Sequence, residues 1–165
     1  MNLIPYQSSQ HGSASQEELA AGMDLLLMEY QTYQQHVRKL NWDQRLRPYL
    51  DFQHKTDILY RVAENNTHSL AEEIMRLGYT PTLRTDPSAA LIPTRIAPVI
   101  EYRDVDEAIR EVMQMSGQVL ETVEDLFYLA AELEEDKSIE LMRNLAAQLS
   151  FTIGVFNSVR LTLGN

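Results

Sequence analysis

The sequence predicts an all-α fold, a bundle of four long helices with one long crossover between the second and the third. Three observations carry this. The prolines of the 165-residue chain are Pro5, Pro48, Pro81, Pro87, Pro93 and Pro98, which leaves three long proline-free intervals. A proline inside a helix removes an N–H and clashes with the preceding turn, so intervals without it can carry long helices. Within them apolar residues recur at alternating spacings of three and four, the seam of a bundle-facing helix. No segment shows the alternation of a strand.

The first helix starts near Ser15, where Ser15 and Glu18 have the spacing of a capping box. Its seam is Leu19, Met23, Leu26, Tyr30, Tyr33, Val37 and Leu40, and Tyr30 and Tyr33 are read as core residues. A short connection through Arg47 and Pro48, with Pro48 in the first turn, leads into the second helix. This runs to Leu77, with Gly78 as a left-handed stop. Asp104 and Glu107 repeat the cap spacing and open the third helix, whose seam is Val105, Ile109, Val112, Val119, Val123, Phe127 and Ala130. An acidic corner from Glu132 to Asp136 precedes the fourth, with Ile139, Met142, Leu145, Leu149, Ile153 and Phe156 inward. Residues 1–14, with Ser8, Ser9, Gly12 and Ser13, are expected to form a mobile tail on a single domain over 15–163.

Connection lengths set the topology. Short links make helices one and two, and three and four, antiparallel hairpins. Tyr79 to Arg103 is long enough to cross the whole bundle, and Leu91, Ile92, Ile96, Val99 and Ile100 suggest a short packed helix within it. Helices two and three then run parallel, the ferritin-like arrangement with one crossover.

Composition narrows the function. With 24 acidic against 14 basic residues the net charge is −10, which argues against an electrostatic grip on nucleic acid and suits handling of cations. No Lys or Arg precedes Arg38 and none follows Arg160, so the tails offer no counterion-displacing charge to DNA. The absence of cysteine excludes disulfides, thiolate metal sites and cysteine nucleophiles. No apolar run is long enough for a membrane span, and no secretory signal pattern opens the chain, so a cytoplasmic location is expected.

The second helix carries the chemistry. Gln53, Asp57, His68 and Glu72 fall within an arc of roughly 100° on one face, because 11 residues make almost three whole turns. Asp57 and His68 are nevertheless about 16 Å apart along the axis, too far to share a metal. A joint site needs an antiparallel copy of this helix, so that Gln53 and Asp57 of one chain meet His68 and Glu72 of another. Two readings stand: a polar interface or solvated face, or ligands for a borderline cation such as Fe(II) or Zn(II).

The stretch from Leu40-Asn41-Trp42 to Ala71-Glu72-Glu73-Ile74-Met75-Arg76-Leu77-Gly78 resembles the Dps family of miniature ferritins. That family carries a His-Trp pair, then a helix with His and Asp, then a D-x-x-x-E step in a run ending A-E-R-x-x-x-L-G-G. The spacings match without gaps from Trp42 to Gly78, and the half from Asp104 to Arg160 follows the family's third and fourth helices. The resemblance implies a hollow shell of twelve subunits that oxidises Fe(II) and stores ferric iron, with its ferroxidase centre between two-fold related subunits. It assigns Asp57 and Glu72 as the bridging, catalytic carboxylates and Trp42 as the tryptophan beside the site. Asn41 stands where the family has its first histidine, Gln53 where it has its second, and His68 where it has its second aspartate. Gln53 then ligates weakly, His68 offers an imidazole that could favour zinc, and His54, turned about 100° from Gln53, is a poor substitute. The acidic corner corresponds to the family's cation pores, which makes Glu134, Asp136 and Glu140 candidates for iron entry. The alternative is a structural cage or interaction bundle without catalysis.

Overall fold

The computed structural model of the chain describes residues 14–83, 85 and 103–164. Residues 1–13 of the expected tail and the short helix expected within the crossover lie outside them, while Ala14 packs against the core. Among the described residues there are four long helices and no strand: α1 (Gln16–Trp42), α2 (Leu50–Arg76), α3 (Val105–Glu132) and α4 (Asp136–Leu163). None is long and apolar enough to cross a membrane.

The ends are set by local chemistry. At the start of α1, Ser15 Oγ accepts from the Glu18 N–H and the Glu18 carboxylate accepts from the Ser15 N–H, each at 3.2 Å, a complete capping box. Asp104 accepts from the Glu107 N–H at 2.9 Å, but the Glu107 carboxylate turns to Arg103 instead, so α3 has half of that motif. Pro48 falls in the link rather than in the first turn of α2: a 3-10 turn at Gln44–Leu46 intervenes, and Tyr49 caps α2 without a side-chain bond. A Schellman motif closes α2, with Tyr79 N–H on Ile74 O (3.1 Å) and Gly78 N–H on Met75 O (2.9 Å), and Gly78 has φ +93°. α3 ends in the same pattern, Glu135 N–H on Ala130 O and Glu134 N–H on Ala131 O, but the left-handed position holds Glu134 at φ 55°.

Side-chain pairings fix the layout. Arg38 meets Tyr60, and Asn41 meets Gln53, so α1 and α2 are antiparallel. Along α1 and α3 the pairs are Gly22 with Leu126, Tyr33 with Ser116 and His36 with Glu111, again antiparallel. A Cβ at Gly22 would run into the Leu126 Cδ2 methyl, so glycine leaves room for that side chain. α2 and α4 pair through Phe52 with Phe156, Asn66 with Gln148 and Glu73 with Ser138. α3 and α4 pair through Asp106 with Arg160. Hence α2 and α3 run parallel, and the end of α2 and the start of α3 lie at opposite ends of the bundle.

The seams meet in one core. Every seam residue expected on α1 is buried, and only Phe127, Ile139 and Ile153 of those on α3 and α4 are partly exposed. One end is clasped by charge: Arg76 donates to Glu73 and to Glu135, Ser138 Oγ donates to Glu73 at 2.6 Å, and Gln16 donates to Glu135. Three helix termini are joined there.

Candidate metal centre

The outward face of α2 holds three of the expected ligands in two separate pairs, Asp57 with Arg61 and His68 with Glu72. Asp57 Oδ2 accepts from Arg61 at 3.0 Å, one turn on. His68 Nε2 lies 3.2 Å from Glu72 Oε1. All four side chains are exposed, Asp57 at 49% and His68 at 77%. Among the described residues no three His, Asp or Glu side chains gather closely enough to hold a metal ion. Asp57 and His68, 11 residues apart on one helix, stand in different pairs.

Asn41 makes a structural contact. Its amide nitrogen donates to Gln53 O and to Thr56 Oγ1, both at 3.0 Å, tying the end of α1 to the first turns of α2. Thr56 in turn donates to Phe52 O. The Gln53 side-chain nitrogen is buried with no hydrogen-bond partner among the described residues. A donor there repels a cation, whereas a rotated amide would present its oxygen. His54 points to solvent, as the helical phase requires. Trp42 is 67% exposed and lies under the Arg38 guanidinium at 4.8 Å, which also stacks over Tyr60 at 4.1 Å. Arg38 thus links the tryptophan of α1 to the tyrosine of α2.

Glu134, Asp136 and Glu140 are all exposed at the α3–α4 turn. Their neighbour Glu135 is not available in the same way, because it belongs to the Arg76 clasp, whose hydrogen bonds hold its carboxyl below the usual glutamate range.

Sequence reasoning missed the buried acids. Glu29 on α1 is fully buried and Glu111 on α3 is 5% exposed, with His36 Nδ1 4.0 Å from Glu111. Burial, with Lys39 nearby, lowers the His36 pKa and favours the neutral ring, so this is not a strong ion pair. The available signal was the spacing of Glu29, Thr32 and His36, a second stripe beside the α1 seam.

Four long helices with antiparallel hairpins and a parallel second and third helix make a ferritin-like fold. Among solved structures the chain is similar to Dps proteins. The Dps protein of Vibrio cholerae O1, described as a member of a broad superfamily of ferritin-like diiron-carboxylate proteins, superposes with a TM-score of 0.79 at 18% identity, over 91% of this chain and 98% of that one. Dps from Staphylococcus aureus gives 0.79 at 14% identity, over 89% and 97%. An archaeal Dps homologue from Halobacterium salinarum gives 0.77 at 14%, over 93% and 92%. The fold is thus the Dps type over nearly the full length of both partners. No protein-family model matches the chain, and no curated protein does.

Proposed function

We propose that this chain is the subunit of a Dps-like cage that binds and stores iron, at a non-standard site completed by a second copy. The observation that carries the reading is the self-complementarity of the outward face of α2. Leu50, Gln53, Asp57, Arg61, Glu64, His68, Glu72 and Met75 lie within one arc of roughly 100°. A two-fold axis between residues 62 and 63 faces Leu50 with Met75, Gln53 with Glu72, Asp57 with His68 and Arg61 with Glu64 of the second copy. Apolar meets apolar and base meets acid. Leu50 is 78% exposed and Met75 55%, apolar surface that an isologous contact would cover.

In that pairing Asp57 of one copy and Glu72 of the other supply carboxylate oxygens, His68 a neutral imidazole nitrogen and Gln53 an amide oxygen. This is a mixed N/O set suited to Fe(II) or Zn(II). Two Fe(II) ions would each give one electron to a peroxide, which takes two protons and leaves as two waters. Trp42 covers the flank. Glu134, Asp136 and Glu140 offer an acidic approach for cations. The reading extends to a closed homo-oligomer of the twelve-subunit kind, working in the cytoplasm without coating DNA.

A second reading, a cage without metal chemistry, draws on the pairs Asp57 with Arg61 and His68 with Glu72, which give each charged group a partner within its own chain. An oxidation assay separates the two. Anaerobic Fe(II) followed by peroxide should give ferric absorbance faster than buffer, and Asp57→Ala with Glu72→Ala should remove the excess. Identical traces for wild type and double variant leave only the structural cage. Light scattering should report a multiple of 19.0 kDa near twelve; a monomer ends the cage reading.

A further inference from the structure

Among the described residues α1, α2 and α3 all turn charged side chains to solvent, Lys39, Arg61 and Glu124 among them. Past its first two turns α4 does not. From Asn144 to Leu163 the sequence holds a single charged residue, Arg160, and that side chain is committed to Asp106 at 2.8 Å. Asn144, Ala147, Phe151, Gly154, Ser158 and Leu161 are all exposed and fall within one arc of roughly 100°. Phe151 is 74% exposed and Leu161 63%. Large apolar side chains held in water on an uncharged face mark a contact surface.

A second copy of the chain fits this face in charge, shape and direction. Each copy carries a net charge of −10, so two copies approach at least cost where neither presents nor buries a charge. The face also matches itself when reversed. About a two-fold axis between residues 152 and 153, Phe151 lies over Gly154 of the second copy, Ala147 over Ser158 and Asn144 over Leu161. A Cβ placed on Gly154 would meet no atom within 4 Å, so the space above that glycine is open to a ring. The antiparallel direction sets the acidic turns from Glu132 to Asp136 at opposite ends, with the two Asp136 residues about 50 Å apart along the axis. A parallel pair would set them side by side, like charge against like.

We propose that the outward face of α4 from Asn144 to Leu161 is a contact between two copies of this chain, antiparallel about residues 152 and 153, with Phe151 of each seated over Gly154 of the other. This contact is separate from the α2 face and rests neither on that face nor on metal binding. One isologous contact closes at a dimer, and a second about another axis carries association past two subunits.

The chain has no cysteine, so disulfide trapping reads the contact directly. Positions 147 and 158 are about 16 Å apart along one helix, beyond the reach of a disulfide within a chain. The double variant Ala147→Cys, Ser158→Cys should oxidise to a covalent dimer on a non-reducing gel, while each single variant runs as a monomer. Phe151→Glu, a change at an exposed position, should keep the wild-type Tm and at least halve the mass read by light scattering. A double variant that stays monomeric under oxidant, or a Phe151→Glu protein of unchanged mass, overturns the contact. Trapping at α4 in a wild-type assembly of only two chains would uphold this contact and end the cage reading instead.

Discussion

The Asn41 side-chain amide donates to the Gln53 backbone carbonyl at 3.0 Å, at a place where the resemblance to Dps proteins implied a metal-binding histidine. The same nitrogen also reaches Thr56. Asn41 thus fastens α1 to α2. Asn41→Ala should therefore lower stability by about 1–2 kcal/mol, the net worth of two part-buried hydrogen bonds. A denaturant titration reads this as a lower midpoint at unchanged slope; an unmoved midpoint would mean that the fastener carries no energy.

At the proposed site Arg61 would weaken metal affinity. It neutralises Asp57 within the chain, and in the two-fold pairing it would lie beside the bound cation. A fixed positive charge at that range opposes a divalent ion by on the order of 1–2 kcal/mol at an intermediate dielectric. Arg61→Ala is expected to tighten Zn(II) binding by roughly tenfold in calorimetric titration. Affinity equal to wild type would mean that Arg61 does not sense the site.

The clasp around Arg76 makes stability depend on acid. Burial raises the Glu73 carboxyl, but the hydrogen bonds from Arg76 and Ser138 outweigh it and hold the group below its ordinary value. A carboxylate held low in the folded state stabilises the fold above its unfolded pKa of about 4.3. That contribution is lost as pH falls through the depressed folded value. The Tm should be flat near neutrality and decline below about pH 4.5, and Glu73→Gln should start lower and lose less on acidification. Parallel acid profiles for both proteins would refute the assignment.

Much of the bundle was legible because its determinants are local. The Ser15–Glu18 box, the Gly78 stop and the α1 seam depend on residues within a few positions of one another. The crossover topology followed from connection length alone. The burial of Glu29 and Glu111 was not legible, since burial is decided by the elements that pack over a helix and not by the helix's own pattern. Likewise the sequence could not tell that Asn41 faces Gln53, or that Ser138 reaches Glu73 across 65 positions. The α2 stripe was visible as a pattern, whereas its pairing of Asp57 with Arg61 and His68 with Glu72 depends on rotamers that the pattern does not give.

Glu134 occupies the left-handed position that Gly78 fills in the equivalent turn after α2. A side chain there costs roughly 1 kcal/mol relative to glycine. Glu134→Gly should raise the unfolding free energy by about that amount, seen as a higher denaturant midpoint. A lower midpoint would show that the Glu134 side chain contributes more than its backbone strain removes.

The most direct test of the proposed shared site uses the absence of cysteine from the sequence. Asp57 and His68 are about 16 Å apart along one helix, well beyond the span of a disulfide. If two copies of α2 lie antiparallel about residues 62 and 63, the double variant Asp57→Cys, His68→Cys should oxidise to a covalent dimer on a non-reducing gel, while each single variant runs as a monomer. A double variant that stays monomeric under oxidant, in a protein that still assembles, would contradict the account.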